Sequence, residues 1–249
     1  MLLRRMIIHV EDQNWFAIGI DFFIVVTGVF LGIQLGNWND ARADERAYKD
    51  AIARYVLESE FNLKRLNAFE EQVTGALIEI GEAIDALQSC DASEANIKNL
   101  NEGISIAMGT FGLSIQTNEL EELTSSPTLL TQQSRELRQR LTDTKFRSDV
   151  FLREADAIEL IPLERPIQYL GSVSVGAVAN RNSQYAGADY SRAERQPILA
   201  VPFEDACQDQ DLIKTLYTWE RWQGALPAVV RILREDIEAN LDFLVSENQ

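Results

Sequence analysis

The sequence predicts a mostly α-helical protein, with one N-terminal transmembrane helix that continues into a long helix and carries an antiparallel helical-bundle domain outside the membrane. Three observations lead there. Residues 14–38, NWFAIGIDFFIVVTGVFLGIQLGNW, are the only stretch long and apolar enough to fill a bilayer. From Ala41 to Leu87 there is no proline, and Leu66, Phe69, Val73, Ala76, Ile80, Ala83 and Leu87 recur at alternating steps of three and four, a coiled-coil-like seam. A last periodic stretch, with Leu212, Leu216, Trp219, Ile232, Ile237 and Leu241, supplies a helix that can pack antiparallel on the first.

Taken in order, residues 1–13 read as a short amphipathic helix in the membrane interface. Leu3, Met6, Ile7 and Val10 share a helical face, and Arg4, Arg5, Glu11 and Asp12 turn elsewhere. Residues 14–38 are the span. No small-residue cleavage site follows it, so it reads as an anchor rather than a signal peptide. Trp15 and Trp38 are 23 residues apart, about 34 Å along a helix, and sit where interfacial anchors belong just outside a hydrocarbon slab of about 30 Å. Gly28, Gly32 and Gly36 line one ridge on which a second helix backbone can approach closely. Asp21, seven residues before Gly28, falls on much the same face, and its carboxylate should meet protein, water or the interface rather than lipid. Together these four residues form the candidate helix–helix interface. Thr27 and Gln34 lie on a different face.

The run NWFAIGIDFFIVVTGVFLGIQLGNWND, with the later ELEELTSSPTLLTQQSRELRQRL, resembles an uncharacterised family of bacterial single-pass membrane proteins described only as a domain of unknown function. The later match departs from that pattern at Pro127, where glycine is expected, and just beyond the run at Lys145 and Phe146, where an aromatic pair is expected. The resemblance implies a membrane anchor plus a helical domain and supplies no activity. The basic residues do not orient the span: Arg4 and Arg5 precede it, while Arg42, Arg46, Lys49 and Arg54 follow it. The resemblance and the cysteines favour a cytoplasmic N-terminus and a periplasmic domain at the bacterial inner membrane.

Residues 39–249 make one domain. The first helix continues outward from the span, with an irregularity expected at Asn37 to Asp40, where short polar side chains compete for backbone hydrogen bonds. After a turn at Ser89 to Ser93, residues 94–123 read as short helical pieces broken by Gly103, Gly109 and Gly112. Ser126 and Pro127 form a cap and first turn, and Leu137, Leu141, Phe151, Ala155 and Ile158 sustain a helical face until Pro162 and Pro166 end it. Residues 171–206 read as a long exposed excursion with a short extended piece at SVSVGAVA. The last helix begins near Asp209 or Asp211, and Pro227 should kink it.

The missing chemistry decides the class of function. His9 is the single histidine and sits at the membrane surface, so the domain lacks material for a histidine-based triad or zinc site. Gly103, Gly109 and Gly112 fit no phosphate-cradling motif, and pairs such as Glu70–Glu71 and Glu121–Glu122 read as solvated helix faces. With 39 acidic against 23 basic residues the net charge is −16, which opposes nucleic acid and anionic lipid alike. No enzyme activity, cofactor, metal or nucleic-acid partner is expected. The expected partners are the bilayer and other transmembrane helices, of an inner-membrane complex or of a second copy. That makes the protein an accessory, scaffolding or assembly subunit, with a periplasmic ligand-binding or sensory module as the alternative. Cys90 ends the first long helix and Cys207 precedes the last. An antiparallel packing of the two helices brings them together, which predicts a disulfide.

Overall fold

The computed structural model describes residues 15–185 and 188–247; the interfacial segment expected at residues 1–13 lies outside the described residues. The protein is mostly helical, with one two-stranded sheet. Its axis is α1 (Trp15–Ser89), a single helix of 75 residues and about 110 Å. The first part of α1 is long and apolar enough to cross a membrane.

No irregularity occurs at Asn37 to Asp40: α1 passes through without a break. Those side chains are exposed, so they face solvent instead of competing with the backbone, and neighbouring pairs support the turn. The Arg42 guanidinium lies 3.8 Å over the Trp38 ring, and Lys49 pairs with Glu45 at 2.6 Å.

Beyond Ser89 the chain packs back along α1 in three core layers. The distal layer sets Ala76, Ile80, Ala83 and Leu87 against α2 (Glu94–Ile106) and α7 (Gln210–Gln223), through Leu100, Ile104, Leu212, Leu216 and Trp219. In the middle layer Leu66, Phe69 and Val73 meet α5 (Arg135–Leu160) and α8 (Leu226–Glu247). The proximal layer sets Ala51 and Tyr55 against α3 (Asn118–Ser125), α4 (Pro127–Gln132), Leu137, Leu141 and Leu244. Every residue of the predicted seam is buried. Because α7 meets the distal layer and α8 the lower two, the C-terminal helices run antiparallel to α1.

Four local expectations change. Gly103 does not break α2; it is buried inside it, where the helix crosses α1 so closely that an added Cβ would strike the Ala83 methyl. Glycine is needed there for approach, not for its conformational freedom. Gly103→Ala would gain helix propensity of about 1 kcal/mol but overpack a crossing that has no flexible side chain to yield, at about 1–3 kcal/mol. The expected result is a lower denaturation midpoint, restored by adding Ala83→Gly. Unchanged stability in the single variant would mean the crossing relaxes freely.

The helical face after Pro127 is two helices, not one. Gln133 is extended, its Nε2 donates to the Leu123 carbonyl at 2.7 Å, and Ser134 restarts the helix by accepting from the Leu137 N–H. The C-terminal stretch also divides. Asp209 caps α7 by accepting from the N–H groups of Asp211 and Leu212, and α7 ends at Gln223. Pro227 is the second residue of α8, where a missing N–H costs nothing, so it starts a helix instead of kinking one.

The excursion at 171–206 is mostly an antiparallel hairpin, β1 (Val173–Tyr185) with β2 (Ala188–Leu199), with register Val173↔Leu199 and a shift between Val175 and Val178. The short α6 (Phe203–Ala206) then leads into α7. SVSVGAVA contributes only part of one strand. Small and polar residues give weak strand propensity, and cross-strand pairing supplies what propensity lacks.

Candidate helix interface and the strap beside it

Along the apolar segment of α1, no described residue ahead of Ala51 is buried. An added Cβ at Gly28, Gly32 or Gly36 would meet nothing within 4 Å. Asp21 is half-buried on the same side, and Trp38 is exposed apart from the Arg42 guanidinium stacked on it. Trp15 is the first residue of α1. Among the described residues, nothing covers the glycine face.

Cys90 and Cys207 are joined in a disulfide with their Cα atoms 5.6 Å apart. Cys90 follows the last turn of α1 in a left-handed conformation, φ 50°, and Cys207 caps α6 two residues before Asp209. The bridge thus ties the far end of α1 to the start of the returning helices.

Between α2 and α3 the segment 107–117, hereafter the strap, forms no regular helix or strand, and its backbone groups find side-chain partners instead. The Trp219 indole N–H donates to the Gly109 carbonyl at 2.9 Å. The Glu159 carboxylate accepts from the N–H groups of Gly112 and Leu113, both at 3.0 Å. Asn62 closes a two-way pair with Gln116, donating to its carbonyl at 2.7 Å and accepting its N–H at 2.8 Å. Just beyond, Glu58 accepts from the N–H groups of Glu119 and Leu120, at 3.0 and 3.3 Å, and so caps α3, whose own Thr117 makes no side-chain cap. Gly112, with φ +74°, makes the turn that aims two successive N–H groups at one carboxylate.

These strap-holding residues were not foreseen, although one signal was present. Continuing below Leu66 by steps of three or four reaches Asn62, Glu58 and Tyr55, all buried. Polar residues on a core stripe imply buried partners. Tyr55 and Thr144 share the Asn240 amide, whose Nδ2 donates to both at 3.1 and 2.8 Å. Asp236, also buried, pairs with Arg147.

Burial pushes the Glu159 carboxyl above the ordinary glutamate range, and the two strap N–H groups hold it back only in part. The folded protein therefore takes up this proton at higher pH than the unfolded chain. Glu159 consequently costs stability as pH rises from the ordinary glutamate range through the raised value, and the cost is complete above it. Glu159→Gln removes the titration and keeps one acceptor. The unfolding free energy of wild type minus that of the variant should fall through this window and then level. Asp236, likewise pushed up by burial against Arg147, is present in both proteins and cancels. A flat difference would show that Glu159 does not titrate in that range.

A cleft of about 230 Å³ opens between α1 and the strap, lined among others by Phe61, Lys64, Arg65, Phe69, Gln72 and Phe111. The Arg65 guanidinium lies 5.7 Å over the Phe61 ring and donates to the Ser114 hydroxyl, so its position is set from two sides. No carboxylate lines the cleft. Among the described residues, no cluster of three or more His, Cys, Asp or Glu side chains could hold a metal ion. Comparison with known protein families, curated proteins and solved structures finds no match to this chain.

Proposed function

We propose that this protein is a non-catalytic, membrane-anchored accessory subunit, a scaffolding or assembly component of a bacterial inner-membrane complex joined through the Gly28, Gly32 and Gly36 face of its span. In this reading the N-terminus is cytoplasmic and the domain periplasmic, a compartment in which the Cys90–Cys207 bridge persists. One observation carries it: among the described residues nothing packs within 4 Å of where a Cβ would stand at Gly28, Gly32 or Gly36, and no α1 residue ahead of Ala51 is fully buried. An anchor alone needs apolar bulk. A ridge of glycines gives up that bulk and is useful when another backbone comes close.

Replacing Gly28 and Gly32 together by Ile keeps the span apolar and holds a neighbouring helix away. The expected outcome is normal membrane targeting with loss of co-purifying membrane partners in gentle detergent. The same partners in the same amounts would end this reading.

One feature favours a ligand-binding or sensory module instead. An open groove of about 680 Å³ lies between α2 and the hairpin, with Ile97, Lys98, Glu102, Gln196 and Ile198 among its lining. A small molecule whose binding raises the melting temperature and is lost in Ile97→Glu would favour that alternative.

A further inference from the structure

The α1–strap cleft joins two kinds of chemistry that rarely meet in so acidic a chain. Phe61, Phe69 and Phe111 offer apolar walls, and Lys64 and Arg65 bring two positive charges with no carboxylate in the lining. Neither cation forms an ion pair among the described residues, although the chain carries a net charge of −16. Such a cleft attracts a negative group attached to an apolar body. Lipid headgroups are out of reach, because Phe61 stands 23 residues, about 35 Å, beyond Trp38.

Its position on α1 indicates the source. Lys64, Ala68 and Gln72, all lining the cleft, are each 36 residues beyond Gly28, Gly32 and Gly36 in one unbroken helix. At about 3.6 residues per turn that is ten turns, so the cleft and the glycine ridge face the same way. A helix lying on the glycines and continuing alongside α1 arrives at the cleft. A second copy of this chain fits poorly. Packed in parallel on this line, it would set Asp21 beside Asp21 and the Lys64–Arg65 pair beside its equal, and such like-charge juxtapositions disfavour a partner.

We propose that the α1–strap cleft is the extramembrane half of the docking line, and that it receives an acidic side chain flanked by apolar ones from a different membrane protein whose span lies on the glycine face. This rests on the function proposed above. In the same partner, a donor or cation at the depth of Asp21 completes the match.

The test places a photoreactive benzoylphenylalanine at Ala68 in one variant and at Gly32 in another, in the full-length protein in its native membrane. Both should trap the same polypeptide, distinct from this chain, and the adducted peptide from Ala68 should carry Asp or Glu beside apolar residues. Adding Lys64→Glu and Arg65→Glu should cut the Ala68 adduct at least tenfold, whereas Lys64→Arg with Arg65→Lys preserves it. Melting curves of the purified variants check folding, and Lys64→Gln with Arg65→Gln replaces the reversal if that variant melts early. An Ala68 adduct with a second copy, a yield indifferent to charge, or no adduct would each overturn the proposal. Saturable binding of phenylacetate to a cleft that traps no protein would likewise overturn it, assigning the cleft to a small acid. If Gly32 still traps its partner in those cases, the cleft proposal fails alone. If Gly32 also traps nothing, the reading of the span fails with it.

Discussion

Replacing both Cys90 and Cys207 by serine should lower the unfolding free energy by about 4–5 kcal/mol. The bridge closes a loop of 117 residues, and in the loop-entropy account a closure of that length removes about 5 kcal/mol of freedom from the unfolded chain. The bridge also joins the end of α1 to the cap of α6, so its loss should loosen the distal layer first. Denaturant unfolding of the detergent-purified protein, with and without reductant, measures the effect. Reduced wild type and the double variant should coincide. Thiol labelling of the unfolded, unreduced wild type should find no free thiol. Two labelled thiols there, in material protected from reduction, would remove the bridge and the main support for a periplasmic domain.

Trp219→Ala should cost about 3–5 kcal/mol. The side chain is fully buried at the centre of the distal layer, its ring meets Phe111 edge-to-face at 6.0 Å, and its N–H supplies the strap with the bond to the Gly109 carbonyl. Truncation leaves a large cavity and removes a donor from that carbonyl. Trp219→Phe separates the two contributions. It keeps most of the volume and loses the hydrogen bond, so the expected cost is about 1–2 kcal/mol. Limited proteolysis provides a second readout: both variants should be cut faster between Met108 and Gln116. A loss below about 1 kcal/mol in Trp219→Ala would mean that the distal layer closes without the indole.

The α1 seam was legible because one helix repeats the same burial decision every 3.6 residues, and Leu66 to Leu87 repeat it often enough to be unmistakable. Cys90 and Cys207 were legible for a different reason. Two long helices joined by a returning chain must place one end beside one start, whatever residues stand there. The break at Gly224 was misplaced onto Pro227, because proline is as much at home in a first turn as at a kink and only the neighbouring helix ends tell the two apart. Gly103 was misread for the same kind of reason. A helix breaker and a helix-crossing residue are the same glycine until the second helix is present.

From the sequence alone it was determined that one helix near the N-terminus is long and apolar enough to cross a membrane, that it continues into the domain, and which of its faces is covered. Those properties sum over one local segment, so period and transfer energy suffice to read them. The tertiary structure alone decided that Glu58, Asn62, Glu159 and Trp219 hold a strap, that Val173–Tyr185 pairs antiparallel with Ala188–Leu199, and that Lys64 and Arg65 meet Phe111 in one cleft. Each of these joins residues brought together across the chain, from the facing strands of the hairpin to Trp219 and the strap it reaches. A segment without a backbone ladder must find its hydrogen-bond partners wherever the packed helices present them.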